Sequence, residues 1–281
     1  MENSIKNEIR IDIQKLKKLP TLSENAEKII RLTARENIHL DELVRVIEKD
    51  PPIMSKVLGI ANIVYFGIDK PIVSIKDALL KIGFKILKNI ALSVAIFSIF
   101  KVSGKRESSY RRLYMHSVMT ATICKIISEN YLKELIDDSF TAGMLHDIGL
   151  FALHYSFYES FKEVEKAVLS GVPLIEAEEK ITGTNHLQIG RWLAECWGLP
   201  EIICDVISNH GRVPDPFTRN GKIIALVHLA THIAENLGYK LFDSSEGCTF
   251  YEKEVYEILS LPKKDELMSE IKTLLSETEV L

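Results

Sequence analysis

The feature that most constrains the fold of this chain is the helical spacing of its apolar residues, which recurs in nearly every segment. Apolar side chains three or four residues apart line one face of an α-helix, whereas a half-buried strand alternates apolar and polar residues. Glycine, proline or a helix-capping residue separates most of these segments. The pattern therefore predicts an all-α fold, built as two packed helical subdomains.

In the N-terminal part of the chain, several signals mark where the predicted helices begin and end. Thr21 and Glu24 have the spacing of a capping box. Asp50, followed by two prolines, ends one helix and begins the next, because aspartate caps a helix and proline fits its first turn. Ser74 begins a short helix, which Gly83 separates from a longer, buried helix.

The polar, basic stretch from Lys101 to Arg112 is the predicted boundary between the two subdomains, residues 1–103 and residues 104–281. Helices in the second subdomain are predicted at about 110–129, 138–149, 158–169, 173–181, 186–197, 200–210 and 221–237. Two amphipathic helices follow as packing or partner-facing elements, at Tyr251–Leu259 and Lys264–Leu275.

Composition narrows the classes of function. A net charge of -4, with 26% charged residues, gives no strong basic field and does not favour nucleic acid as a partner. The four cysteines form no Cys-x-x-Cys pair, which indicates a reduced, cytoplasmic location. The N-terminus has no secretory signal, and the longest apolar stretch, Ile90–Phe100, is too short to span a membrane.

A histidine and an aspartate, His146 and Asp147, stand side by side in an apolar predicted helix between Phe140 and Gly149. An apolar environment does not tolerate an unpaired carboxylate. Adjacent residues on a helix diverge by about 100°, so both side chains reach one point only over the helix edge. The pair therefore indicates a ligand site, and the alternative is a capping or ion-paired aspartate beside a core histidine.

Three more histidines lie on the apolar faces of three other predicted helices: His116, His186 and His210. With the pair, they make five candidate metal ligands. Imidazole nitrogens and a bridging carboxylate suit iron, manganese, zinc or nickel. If the five converge, Asp147 bridges two ions about 3.5 to 4 Å apart. One ion takes His116 and His146, the other takes His186 and His210, and each keeps positions open for water or an anion.

The five candidate ligands, in this order and spacing, resemble the HD superfamily of metal-dependent phosphohydrolases. Two more stretches resemble one branch of it, the HDOD-domain proteins. Residues 50–62, 66–67 and 75–83 are similar to its N-terminal half, and residues 183–190 and 197–200 to its C-terminal half. The resemblance covers about residues 15–213. It implies an all-helical bacterial protein with an HD-like bundle as second subdomain, in a family of mostly regulatory modules without HD catalysis.

Three positions depart from the pattern that the resemblance implies for a catalytic site. Leu150 stands where such enzymes have a lysine, Gly211 where they have a second histidine, and Thr231 where they have a closing aspartate. His228 and His232 flank Thr231 and could replace the missing carboxylate. The Gly-Tyr-Pro signature of cyclic-di-GMP phosphodiesterases is absent after Gly211, so hydrolysis of that dinucleotide is not expected.

Other titratable residues have simpler interpretations. Glu178 and Glu179 precede the His186 motif, and they either add a ligand, as related metal sites do with an upstream glutamate, or form a solvated helix face. His39 precedes a helix and His154 lies in an aromatic segment, and both are interpreted as structural or surface histidines.

The sequence therefore predicts a bacterial regulatory module with a degenerate HD site that binds one or two metal ions or a small anion and has no catalytic residue. A ligand would shift how the two subdomains pack, and the output would pass through contacts with a signalling protein partner. A nucleotide or another phosphate-containing ligand fits such a site. One alternative is a metal-dependent phosphohydrolase acting on a nucleotide or phosphoester. Another is a scaffold with an empty site, in which the histidines hydrogen-bond one another.

Overall fold

Every regular element in the described part of the chain is helical. The computed structural model describes residues 23–33, 40–65, 70–100, 102–243, 250–262 and 264–276. In these residues the prediction of an all-α fold is confirmed. None of their helices is both long enough and apolar enough to cross a membrane.

The described residues before Lys101 form four α-helices: α1 (Glu24–Thr33), α2 (Leu40–Glu48), α3 (Pro51–Val64) and α4 (Ile75–Phe97). The predicted cap of α3 is present, because the Asp50 carboxylate accepts a hydrogen bond from the Ile53 N–H at 3.1 Å. The Ser74 hydroxyl caps α4 in the same way, accepting from the Asp77 N–H at 3.0 Å. Gly83 interrupts α4 with φ 76° and ψ 167°, which confirms the predicted break.

Three features of the sequence analysis lie outside the described residues: Thr21 of the predicted capping box, the pair at 66–67 and His39. The other histidine interpreted as structural or surface, His154, is buried. Its Nε2 lies 2.8 Å from the hydroxyl oxygen of Ser109. A hydrogen bond of this length agrees with a structural role for His154.

The described residues after Lys101 form ten α-helices: α5 (Glu107–Tyr131), α6 (Ile136–Leu145), α7 (Ile148–Ser156), α8 (Tyr158–Leu169), α9 (Leu174–Thr182), α10 (His186–Cys196), α11 (Glu201–Asn209), α12 (Gly221–Asn236), α13 (Glu252–Leu259) and α14 (Lys264–Ser276). Short 3₁₀-helices precede α5 and α6, at Gly104–Arg106 and Lys133–Leu135. The predicted bounds agree closely, with one correction. The single helix predicted at 138–149 is two helices, α6 and α7, and α7 continues to Ser156.

Contacts between residues divide the described chain into two compact units. One unit comprises the described residues within 100–121 and 142–259, and it contains all five candidate ligands. The other comprises the described residues up to 99, residues 122–141 and the described residues from 260 onward. The subdomain boundary at residues 103 and 104 stays a prediction.

In the unit that holds the candidate ligands, two glycines let α7 and α10 cross closely. A Cβ atom on Gly149 would lie 1.9 Å from the carbonyl oxygen of His186, and one on Gly190 would lie 3.3 Å from the backbone nitrogen of Gly149. Any larger residue would force the two helices apart. The crossing therefore places the start of α7, next to Asp147, beside the start of α10 at His186.

Candidate metal centre

The turn between α6 and α7 brings two neighbouring side chains to one buried place. His146 and Asp147 are both buried, and the backbone of Asp147 leaves α-helical values with φ -98° and ψ 19°. The Asp147 carbonyl accepts from the Leu150 N–H at 2.8 Å at the start of α7. The sequence pattern predicts that this pair lies on one continuous helix, and that prediction is wrong. The break between α6 and α7 is what lets both side chains converge.

The carboxylate of Asp147 lies among four imidazole rings, and each of its oxygens faces two of them. Oδ2 lies 3.0 Å from Nε2 of His146 and 3.7 Å from Nε2 of His116. Oδ1 lies 3.2 Å from Nε2 of His210 and 3.7 Å from Nε2 of His186. The structure thus brings all five predicted ligands together, and the ring atom that faces Asp147 is Nε2 in every case.

The other ring nitrogen of each histidine, Nδ1, lies against an acceptor. In three rings the Nδ1–H donates to a backbone carbonyl: His116 to Tyr239 at 2.6 Å, His146 to Gly143 at 2.7 Å and His210 to Ile207 at 3.2 Å. In His186 it donates to the Glu178 carboxylate at 2.6 Å. A neutral imidazole carries one proton, so in each ring that is neutral this arrangement leaves the Nε2 lone pair directed at Asp147.

Burial disfavours the charged form of two of the four rings. It lowers the pKa of His116 and the pKa of His210, each to about 4, and repulsion from His146 is a further cause. Burial alone would raise the pKa of the Asp147 carboxyl, but His146 and His210 hold that pKa well below its usual range. The centre therefore holds an ionised carboxylate beside the neutral rings of His116 and His210.

Three buried acceptor atoms of the centre have no hydrogen-bond partner among the described residues: Nε2 of His116, Nε2 of His146 and Oδ2 of Asp147. An acceptor that is buried and unpaired costs free energy. A cation placed among these atoms would satisfy all three of them. The donor set therefore fits a metal ion, and its mixture of imidazole nitrogen and carboxylate oxygen suits iron, manganese, zinc or nickel.

The candidate ligands form two groups that share Asp147. We call them the His116 triad (His116, His146 and Asp147) and the His186 triad (Asp147, His186 and His210). In each triad the ligand atoms lie within 4.8 Å of one another, and every residue is buried. This is the division that the sequence predicts for two ions. Three protein donors leave open positions on an ion of ordinary coordination number.

Glu178 and Glu179 have different surroundings. Glu178 is 0% exposed, and its Oε2 accepts hydrogen bonds from the backbone N–H of His186 at 3.1 Å and from its Nδ1–H. Glu179 is exposed, and its carboxylate accepts from the Asn185 amide at 2.6 Å. The solvated helix face therefore describes Glu179 alone. Burial lowers the pKa of His186, but Glu178 outweighs this and raises the pKa above its usual value.

The three departures from the catalytic pattern have structural counterparts. Leu150 is 0% exposed, and its apolar side chain supplies no charge at the position of the lysine. A Cβ atom on Gly211 would meet the side chains of Ile175 and Leu187 at 3.5 and 3.6 Å, which is an apolar environment. Thr231 is buried, and its hydroxyl has no hydrogen-bond partner among the described residues.

Neither of the histidines that flank Thr231 belongs to a triad. The Nδ1–H of His228 donates to the carbonyl of His210 at 2.7 Å, and its Nε2 accepts from the Tyr251 N–H at 3.3 Å. The Nε2 of His232 lies 2.9 Å from the amide nitrogen of Asn236. The hydrogen bonds of His228 hold the end of α11, and the missing carboxylate has no histidine in its place.

Sequence reasoning missed a loop that supports His116. The carbonyl of Tyr239 accepts from His116, and the carbonyl of Leu241 accepts from Nε of Arg112 at 2.8 Å. Arg112 lies one turn before His116 on α5, and its guanidinium also pairs with Glu165 on α8. Two side chains of α5 therefore fix the loop that follows α12. A backbone carbonyl leaves no residue signature, so the pattern of side chains could not reveal this support.

The fold and the centre define a class of protein, which is all-helical and has a buried constellation of four histidines and one aspartate of the HD type. The model of the family described as HDOD domain matches residues 19–213. This match covers well over half of the chain, and the chain belongs to the HDOD domain family.

One curated relative is an uncharacterised protein from Treponema pallidum (strain Nichols), which is 24% identical over 266 residues. The matched region takes in 93% of this chain and 50% of that protein. The chain therefore spans about half the length of this relative.

Solved structures share the fold. An HDOD domain protein of unknown function from Geobacter sulfurreducens has a TM-score of 0.74 at 24% identity, over 96% of this chain and 99% of that chain. A Shewanella amazonensis SB2B protein, provisionally named a phosphohydrolase, has a TM-score of 0.73 at 18% identity, over 95% of this chain and 96% of that chain. A Marinobacter aquaeolei VT8 protein, provisionally named a signal transduction protein, has a TM-score of 0.74 at 24% identity, over 99% of this chain and 62% of that chain.

Proposed function

We propose that this chain is a bacterial regulatory module that acts in the cytoplasm, holds a metal ion or a small anion in the centre around Asp147, and signals through contacts with a protein partner. The observation that carries the proposal is the arrangement of acceptors. Four Nε2 atoms surround one buried carboxylate, and each Nδ1 is already held by another group. A bound cation would supply the positive charge that these acceptors share.

The environment of the centre favours binding over catalysis. Catalysis on a phosphoryl group needs cations or donors that stabilise charge as it develops in the transition state. The position where a lysine would supply such a charge is the buried Leu150, and the place of the closing carboxylate is the neutral Thr231. A ligand that can bind without being hydrolysed, such as phosphate or a nucleotide, suits such a site.

The loop that follows His210 carries an exposed aromatic side chain. The loop of residues 211–220 begins directly after His210 and carries Phe217, which is 95% exposed. The backbone N–H of Phe217 donates to the Asp215 carboxylate at 2.9 Å, and the Asn220 amide donates to Asp205 on α11 at 2.9 Å. An exposed aromatic on a loop with such internal bonds supports a protein contact, since aromatic side chains contribute strongly to interfaces.

Ligand binding would act by population shift. The five ligands come from α5, the turn before α7, the start of α10 and the residue after α11. A ligand that holds them at a fixed spacing favours the conformations in which these helix ends lie close together. The partner would then recognise those conformations.

Metal-dependent hydrolysis of a nucleotide or phosphoester is the second candidate. It is supported by the coordination positions that each triad leaves open, and the Shewanella protein of the same fold bears a phosphohydrolase name. A third candidate, the scaffold with an empty site, is less well supported. The hydrogen bonds of the four rings run to Asp147, Glu178 and backbone carbonyls rather than from ring to ring.

Two measurements separate these candidates. The first is the metal content of protein purified without an immobilised-nickel column. A content below about a tenth of an equivalent would exclude both metal-binding candidates, because a site of useful affinity retains its ion through purification. The matched variants are His146→Ala, which removes a ligand, and His232→Ala, which removes a histidine outside both triads. We expect metal loss in the first variant alone.

The second measurement is a panel of phosphodiesters, phosphomonoesters and nucleotides, assayed with added Mn²⁺ or Fe²⁺. We expect the chain to bind metal without turnover. Metal-dependent turnover that is lost in both His146→Ala and Asp147→Ala, and kept in His232→Ala, would establish the hydrolase in place of the regulatory module.

A further inference from the structure

The two triads differ in the charge of the groups that accept hydrogen bonds from the Nδ1–H groups of their histidines. In the His116 triad, both Nδ1–H groups donate to neutral backbone carbonyls, at Tyr239 and Gly143. In the His186 triad, the Nδ1–H of His186 donates to the buried carboxylate of Glu178 at 2.6 Å. A carboxylate in this position fixes the orientation of the ring and makes its Nε2 a stronger donor to a cation. The His186 triad is therefore the stronger of the two.

Charge balance limits how many ions the centre can hold. Of the described residues, Asp147 and Glu178 supply its carboxylates, and they are 1% and 0% exposed. One divalent ion balances these two negative charges. A second divalent ion would leave a net charge of +2 in a buried site, which is strongly unfavourable unless an anion enters with it. The closing aspartate, whose carboxylate could balance a second ion, is absent, because Thr231 stands at its position.

We propose that the chain alone binds a single divalent ion, at the His186 triad, and that Glu178 selects this triad over the His116 triad. The inference rests on the metal site proposed above. The His116 triad takes a second ion only together with a doubly charged oxyanion, which restores the balance of charge. Glu178 is a positioning residue, because it acts on the ion through His186.

Calorimetric titration of the metal-free full chain with Zn²⁺ tests the stoichiometry. In a buffer without phosphate we expect one equivalent per chain, and with added inorganic phosphate we expect a second. Two equivalents of similar affinity without phosphate would overturn the inference. Failure of phosphate to bring in a second equivalent would overturn its anion part. Absence of any binding would overturn the proposed metal site itself, and is therefore distinguishable from the other two results.

Variants test the role of Glu178. Glu178→Gln keeps the size of the side chain and removes its charge, and we expect the first equivalent of Zn²⁺ to bind about 10- to 100-fold more weakly. The matched control is Glu179→Gln, whose carboxylate accepts from the Asn185 amide at the exposed side of α9 rather than from His186, and the affinity of this variant should not change. Equal affinities in the two variants would contradict the proposal.

A readout on the unmodified chain keeps the inference testable even where Glu178→Gln does not fold. Side-chain ¹H–¹⁵N spectra follow the ring nitrogens of each histidine during the titration. The first equivalent of Zn²⁺ should shift the Nε2 resonances of His186 and His210 before those of His116 and His146. Simultaneous shifts, or the reverse order, would overturn the assignment of the first ion to the His186 triad.

Discussion

Nε2 of His210 and Oδ1 of Asp147 lie 3.2 Å apart, although 63 positions separate the two residues in the chain. His210 follows the last residue of α11, and Asp147 precedes the first residue of α7. The carbonyl of His210 also accepts from His228 on α12 at 2.7 Å. The centre therefore lies where three helices meet in one compact unit. A ligand bound in the centre would affect how those helices pack.

The crossing of α7 and α10 gives the first prediction. Gly149→Ala would place a methyl group 1.9 Å from the carbonyl oxygen of His186, so the helices must move apart. We expect the free energy of unfolding to fall by at least about 1 to 3 kcal/mol, the usual cost of overpacking. Urea denaturation measures it. Because the same movement separates Asp147 from His186, the affinity for Zn²⁺ should fall as well.

The control for that variant is Gly59→Ala on α3. No atom lies within 4 Å of the Cβ that alanine would add there. Alanine is favoured over glycine inside a helix by roughly 0.5 to 1 kcal/mol, so this variant should be slightly more stable than the unmodified chain. An equal loss of stability in both variants would show that the α7–α10 crossing is not the cause.

Arg112 gives the second prediction. Its guanidinium donates to the carbonyl of Leu241 and pairs with Glu165, with 24% of the side chain exposed. Arg112→Ala should lower the free energy of unfolding by about 1.5 to 3 kcal/mol, as expected for hydrogen bonds to charged groups that are partly buried. The control is Arg31→Ala, whose ion pair with Glu27 is exposed and should contribute less than about 1 kcal/mol. A loss in Arg31→Ala as large as that in Arg112→Ala would contradict this account.

The convergence of the candidate ligands could be predicted because each of three histidines interrupts an apolar helical face. A polar ring on such a face must meet a partner inside the fold. The spacing between helices does not identify the partner of each histidine. The order of the histidines along the chain, however, predicts their division into the His116 triad and the His186 triad. The structure agrees with that division.

The turn at His146 and Asp147 could not be predicted in the same way. No glycine or proline stands at the break itself, and the residues on both sides are apolar, so the helical pattern continues through it. The sequence leaves the role of Glu178 open for a related reason. It is adjacent to the exposed Glu179, and only the close approach of α9 to the start of α10 decides that one of the two carboxylates is buried against His186.

Stability as a function of pH gives the third prediction. Burial, the largest cause, lowers the pKa of three histidines to about 4: His116, His154 and His210. In the unfolded chain histidine titrates near 6.5, so between pH 4 and 6.5 the unfolded chain binds more protons than the folded chain. The free energy of unfolding of the metal-free protein should therefore rise with pH across this window, by up to about 1.4 kcal/mol per pH unit for each group.

His186 acts in the opposite direction, because its pKa is raised in the folded chain. Its contribution is present below pH 6.5 and is lost as the pH rises through the folded value. The loss due to His186 therefore lies above pH 6.5 and does not offset the rise between pH 4 and 6.5. Urea denaturation at half-unit steps of pH, with a chelator present, measures the profile, and a flat or falling profile in this window would contradict the assignment of neutral imidazoles.

Asp147→Asn gives the last prediction, in which stability and ligand binding change in opposite directions. In the metal-free chain the Asp147 carboxylate faces the Nε2 atoms of the neutral rings of His116 and His210, and its Oδ2 has no hydrogen-bond partner among the described residues. An asparagine side chain supplies two N–H donors in the same space. The variant should therefore be more stable than the unmodified chain by about 1 kcal/mol when metal is absent, which is the ordinary net contribution of a hydrogen bond.

With metal present the order should reverse. At a Zn²⁺ concentration of 100 times Kd, binding stabilises the unmodified chain by about 2.7 kcal/mol, whereas the neutral amide of Asp147→Asn no longer bridges the two triads and gains little. Thermal unfolding of both proteins, with chelator and with Zn²⁺, measures all four values. If the variant is less stable than the unmodified chain under both conditions, the carboxylate contributes a structural hydrogen bond or ion pair, and the imidazoles around it are charged rather than neutral.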